Sequence, residues 1–390
     1  MPSTTDKNLK RIFLSAPHMC GRELDYVKKA FESNYIAPVG PQLDQFEELF
    51  SEITGLPHCV AVANGTSAIH LMLRCIGIKP GDLVLASTLT FIGSVAGAKY
   101  LGADLGFIDC DYDTWNMDID VLEKEIESLL KSGIKPAAVL PTENYGQPCD
   151  VDRLRSVCDR YEIPLVMDCA ETVGATYKGQ HVGHGVKAAA FSFNGNKIVT
   201  TSGGGMVTSD DGALIDHARY LANQAKQPGW QYEHHEIGYN YRLSNILAAI
   251  GISQLEVIEQ RVQRKREIFN QYKDELAEVP GIRFMPDVSY GVGNRWLTAV
   301  MIDEKEFGVD NIAVMTGLEA ENIESRPIWR PLHTQKVFAN CRVAGGQVAE
   351  SINRQGICLP SGTSMSNEDV TRICKTIRSL CKTRSLRETG

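Results

Sequence analysis

The chain has no C-x-x-C pair, no apolar run near the ~18 residues needed to cross a bilayer, and neither G-x-x-x-x-G-K-[ST] nor G-x-G-x-x-G. These absences exclude a zinc knuckle, a membrane span, a P-loop and a dinucleotide fingerprint in turn, and no metal is expected. Eleven cysteines, an odd number without paired spacing, point to reduced thiols. Met1–Lys10 is polar and lacks the apolar stretch of a signal peptide, so a cytoplasmic protein is expected. A net charge of −8 argues against a nucleic-acid surface.

What is present is an ordinary globular composition, 43% hydrophobic and 23% charged over 390 residues, enough for two domains. Helical spacing over 22–33 and 43–54 leads into an alternation of apolar strands and helices. The strand candidates are 60–63, 83–86, 105–108, 137–140, 165–167 and 188–193; helices at 67–75, 92–100, 118–131 and 151–161 lie among them. That alternation predicts an α/β fold on a large, mostly parallel sheet. Ser244 to Ala277 reads as one long helical run with a kink. A smaller α+β unit follows, with a strand at 296–302 and a closing helix at 367–380; the charged end, 382–390, is expected to fray. The domains are thus 1–250 and 251–390.

Chemistry concentrates at three places. Val166-Met167-Asp168 is an apolar strand closed by a carboxylate, at the sheet edge where open α/β folds bind ligands. Such a carboxylate can hold a pyridine nitrogen protonated, or it can simply cap a following helix. Lys197 ends Phe191-Ser192-Phe193-Asn194-Gly195-Asn196 and precedes a run ending in three glycines. Desolvation there would free its amine for imine formation; the plain alternative is a surface lysine in a glycine loop. Asn64-Gly65-Thr66-Ser67, between strand and helix, is either an anion site or an ordinary N-cap.

Taken in order, Asn64-Gly-Thr-Ser-Ala68, Thr90-Phe91, Asp168-Cys-Ala-Glu171, Ser192-Phe-Asn-Gly-Asn-Lys197 and Gly238-Tyr-Asn-Tyr-Arg-Leu243 resemble the motifs of the DegT/DnrJ/EryC1/StrS sugar aminotransferases. The likeness runs from about Phe13 to Leu380. Ser33–Pro38, Tyr232–His234, Arg326–Trp329, Leu332–Gln335 and Gly356–Gly362 are further similar to the nucleotide-sugar 4-aminotransferases of the bacillosamine pathway.

The resemblance implies a type I aminotransferase fold and a homodimer with shared active sites. It implies pyridoxal 5'-phosphate (PLP) held on Lys197 as a Schiff base, with Asp168 on the pyridinium and Phe91 on the ring face. Thr66, Ser67 and Ser192 would bind the phosphate, Glu171 would sit near the 3-hydroxyl, and Asn240 would reach the neighbouring subunit's cofactor. His18, Arg326, Trp329 and His333 are candidates for the sugar-nucleotide pocket. Glu143, in Thr142-Glu-Asn-Tyr-Gly146, stands where many relatives carry His. The implied reaction moves the amino group of L-glutamate to C4 of a UDP-linked 4-keto-6-deoxy-2-acetamido sugar. Its rivals are another keto sugar or cyclitol, such as a TDP-linked one, and a non-catalytic PLP-binding regulator. A sugar dehydratase would carry His in place of Lys197.

Overall fold

The computed structural model describes residues 10–382, so the tail expected to fray lies outside them except for Lys382. Helices α1 (Glu23–Glu32) and α2 (Pro41–Thr54) come first. An alternating series follows: β1 (His58–Val62), α3 (Gly65–Cys75), β2 (Leu83–Ser87), α4 (Gly93–Tyr100), β3 (Asp104–Ile108) and α5 (Ile119–Lys131). It continues through β4 (Ala138–Leu140), α6 (Val151–Arg160) and β5 (Val166–Asp168). After a small ribbon, β6 (Thr176–Tyr177) and β7 (Gln180–His181), come β8 (Ala188–Ser192), β9 (Gly205–Ser209) and α7 (Gly212–Ala222). Helices α8 (Asn245–Leu255) and α9 (Ile258–Glu275) divide the expected long run, which breaks at Glu256–Val257.

The strands form the order β1-β9-β8-β5, joined by the parallel bridges Val139↔Leu165 and Thr142↔Asp168 to β4-β2-β3 and a short strand, Arg342–Ala344. Only β9 runs against its neighbours in this sheet. Helices cover both faces, so β8 is buried at all five residues and reads as an unbroken apolar run rather than an alternation. Phe46, Phe50, Leu122 and Ile252 pack on one face, Leu71, Val95 and Leu214 on the other.

The C-terminal part folds around a second sheet, Ile282–Phe284, Thr298–Ile302, Gly356–Leu359 and Arg326–Pro327, all antiparallel. Helix α9 belongs to both cores: Ile258 and Val262 pack with the large sheet, Ile268 and Tyr272 with the small one. The strand at 342–344 also returns to the large sheet, so the two regions interleave.

Two local devices hold the motif at 238–243. The buried Glu47 carboxylate accepts from Arg242 Nη1 (2.5 Å), Arg219 Nη1 (2.6 Å) and the Ala61 amide (2.7 Å), tying α2, β1 and α7 to it. Residues 223–240 leave the end of α7 as an excursion closed at its base. There Gln224 N donates to Tyr239 O (2.9 Å), Tyr241 N to Ala222 O (2.9 Å) and Ala63 N to Tyr241 O (2.7 Å). Its tip exposes Trp230 and Tyr232.

Candidate active site

The carboxyl ends of β1, β5 and β8 lie at one edge of the sheet and carry the three sequence motifs into one cavity of about 300 Å3. Two glycines make this close approach possible. A Cβ on Gly65 would stand 2.9 Å from Ser192 Cβ, and one on Gly205 would stand 2.6 Å from the Asn64 carbonyl carbon. Asn64 caps α3, its side chain accepting from the Ser67 amide at 2.8 Å, so the N-cap reading is real. The cap leaves Gly65 and Thr66 on the cavity wall, facing Ser192 and Asn194, at the electropositive end of an 11-residue helix.

At the opposite end lies Asp168, buried, its Oδ1 accepting from the Ala170 amide at 3.0 Å. No helix starts after it, so it is not a helix cap. The Ser94 hydroxyl also bonds it and lies 2.6 Å from Thr90 Oγ1. Burial raises the Asp168 pKa, while the Ser94 hydroxyl, the Ala170 N–H and Lys197 oppose the rise. Glu171 is raised too, by burial, against the pull of Lys197 and the Tyr145 amide.

Lys197 projects into the same space, its side chain only 13% exposed. Its Nζ lies 3.6 Å from Glu171 Oε1 and 3.8 Å from the centroid of the Trp296 ring. Burial lowers its pKa, with Glu171 and then Asp168 working in the other direction. The surface-lysine alternative is therefore gone. The amine can exchange a proton near neutral pH more readily than a solvated lysine can.

Phe91 stands at the mouth, 54% exposed, with Trp329 5.4 Å away. Trp329, Tyr145 and Trp296 continue as a near-parallel aromatic wall, Tyr145 lying 6.1 Å from Trp329 and 6.5 Å from Trp296. Tyr145 adopts φ +55°, which aims its amide at Glu171 Oε2 (2.6 Å) while its hydroxyl accepts from the Trp329 amide (2.8 Å). Beyond the wall lies a larger, mainly apolar cavity of about 700 Å3, lined by Phe13, Pro17, Arg326, Ile328 and Trp329 among others.

The remaining candidates separate. Ser67 is buried and does not line either cavity. Asn240 is exposed, its side chain accepting from Gln224 Nε2 at 3.0 Å, and it lines neither cavity of its own chain. His18 braces the N-terminal segment: its Nδ1 lies 2.9 Å from Thr363 Oγ1 and meets the Arg261 guanidinium, and its carbonyl accepts from Gln254. Burial, then the charge of Arg261, lowers its pKa, with Glu23 opposing. His333 joins Thr88 Oγ1 (2.6 Å) to Glu350 (3.1 Å) and likewise lines neither cavity.

Reading from sequence missed Ser94, Tyr145 and Trp296. Ser94 was within reach, three residues past Phe91 at the start of α4; Trp296 was not, because only the fold brings it to Asn196, 100 positions away.

A profile of the DegT/DnrJ/EryC1/StrS aminotransferase family matches residues 17–378. The chain belongs to that family. It is 45% identical over 378 residues to EpsN of Bacillus subtilis (strain 168), a protein named for pyridoxal phosphate-dependent aminotransferase activity, covering 96% of this chain and 97% of that one. It is 35% identical to a GDP-perosamine synthase of Escherichia coli O157:H7, covering 95% and 98%. A crystal structure of a DegT DnrJ EryC1 StrS aminotransferase from Brucella abortus superposes with a TM-score of 0.86 at 27% identity, covering 93% and 95%.

This sugar aminotransferase is PLP-dependent, and its own donor set fits that cofactor. Thr66, Ser192 and the α3 N-terminus offer hydrogen bonds to a phosphate, Asp168 a counter-charge to a pyridinium, Lys197 an amine, and Phe91 a ring face. Bound there, the cofactor supplies an electron sink for a carbanion next to nitrogen.

Glu143 lies fully buried beneath this site. It accepts from Thr172 Oγ1 (2.5 Å) and the Cys149 amide (3.1 Å). Burial pushes its carboxyl from an ordinary 4.5 up to about 7. The folded protein therefore holds a proton there that the unfolded chain releases, and stability falls as pH rises through that window. Glu143→Gln removes the linkage. Its stability relative to wild type, from urea midpoints, should improve between pH 5 and pH 8 by on the order of 1–3 kcal/mol. An unchanged difference would mean that Glu143 is not held protonated.

Proposed function

We propose that the enzyme transfers the amino group of L-glutamate to C4 of a UDP-linked 4-keto-6-deoxy-2-acetamido sugar, as in bacillosamine-type nucleotide-sugar biosynthesis. The observation that carries this reading is the larger cavity, separated from Lys197 only by the Trp296–Tyr145–Trp329 wall. Its volume falls in the range of small-molecule sites, and its apolar lining suits the methyl face of a 6-deoxy sugar. Arg326, exposed at its rim and paired with Glu324 (2.6 Å), offers a cation for the diphosphate. Resemblance in the segments at 33–38, 326–329 and 356–362 supports the UDP assignment.

Within the site, Lys197 moves the proton between substrate carbon and cofactor carbon as base and then acid, tethered beside the atom it serves. Asp168 keeps a positive charge at the buried end of the cavity. The aromatic wall excludes water from the reacting face. The working form in this reading is a cytoplasmic homodimer in which Asn240, free of its own cavity, reaches the partner's cofactor phosphate. No helix among the described residues is long and apolar enough to cross a membrane.

A second reading, a GDP-linked 4-keto-6-deoxy sugar, draws on the 35% identity to GDP-perosamine synthase. Absorbance decides between them. L-glutamate should bleach the visible band of the PLP-loaded enzyme, and the correct keto sugar should restore it. UDP-, GDP- and TDP-linked substrates are to be compared side by side. Restoration at least tenfold faster with the UDP sugar is expected; a faster GDP or TDP sugar would replace the acceptor and leave the aminotransferase in place.

A further inference from the structure

If Lys197 carries the cofactor, its amine is free for part of each cycle and must stay beside the substrate, and the group that Nζ lies against is an aromatic ring. Nζ sits 3.8 Å from the centre of the Trp296 ring, on the wall between the two cavities. The ring is fixed from several directions. Trp296 Nε1 donates to Asn196 O (2.8 Å), its amide donates to Asn294 Oδ1 (2.8 Å), and its carbonyl accepts from Lys265 Nζ (2.8 Å). Tyr145 backs it, tilted by only 9°. Lys265 is itself buried and holds Ser361 O at 2.9 Å, so the indole hangs from a brace between α9 and the small sheet.

We propose that Trp296 is the platform on which the free Lys197 amine rests, its indole face holding that amine charged and within reach of the substrate carbon. This rests on Lys197 being the reacting amine. The charged groups facing Nζ are Glu171, at 3.6 Å, and Asp168; Lys265 is turned to the backbone carbonyls of Trp296 and Ser361. An aromatic face attracts the ammonium through its quadrupole, more strongly when water is excluded. It favours the charged form, so removing it lets Lys197 give up its proton at lower pH.

The test uses full-length protein loaded with pyridoxamine 5'-phosphate, which leaves the lysine unbonded. Competitive acylation followed by peptide mass spectrometry then gives the pH midpoint of Lys197 itself, without reference to turnover. Trp296→Leu should lower that midpoint by about one pH unit, the scale of a desolvated cation–π contact. Trp296→Phe keeps a π face but loses the bond to Asn196 O, and should titrate near wild type. A wild-type midpoint in Trp296→Leu overturns the role. So does an equal drop in both variants, which would assign the effect to the Asn196 hydrogen bond. Failure of wild type to take up pyridoxamine phosphate would instead count against the cofactor site, a separate result.

Discussion

Lys197→Ala should reduce turnover by roughly 10^3-fold or more, because one side chain is both the attachment point and the proton carrier. It is the one lysine lining the cofactor cavity among the described residues. The two other ionisable residues lining that cavity, Asp168 and Glu171, are held by the Ala170 and Tyr145 amides. Neither is tethered to take over a proton transfer at carbon. Single-turnover absorbance with L-glutamate isolates the step, and methylamine should restore a small fraction of the rate by standing in for the missing amine. A variant within tenfold of wild type would remove Lys197 from the chemistry.

Asp168→Asn is the second large effect, expected at about 10^3-fold in kcat together with faster loss of PLP on dialysis. The substitution is close to isosteric, and an asparagine oxygen can still accept from the Ala170 amide that Asp168 engages at 3.0 Å. What disappears is the negative charge at the end of β5. Without it, a ring nitrogen placed there has no counter-ion in a buried setting, and the electron sink weakens. Normal kinetics and normal cofactor retention would reduce Asp168 to a turn residue.

Much of this site was legible in sequence because strand ends are legible. Apolar runs at 165–167 and 188–193 located β5 and β8, and a strand's end fixes where its last side chain lies. Strand β9 was not among the strands expected, since it opens on the last of three glycines and ends in Thr208 and Ser209 rather than forming an apolar run. The three-residue strand at 342–344 is too short and too exposed to carry a periodic signal. His18 and His333 show the same limit from the other side. Sequence offered both as substrate candidates and could not give their partners, which are Thr363 and Arg261 in one case and Thr88 and Glu350 in the other.

The excursion at 223–240 has a stem sewn to the sheet by backbone bonds and a tip that faces outward. Its feet, Ala222 and Tyr241, stay registered to β1 through Ala63 whatever hangs between them. The excursion ends at Asn240, so in the proposed dimer its closed base also sets where that side chain stands for the partner's cofactor phosphate.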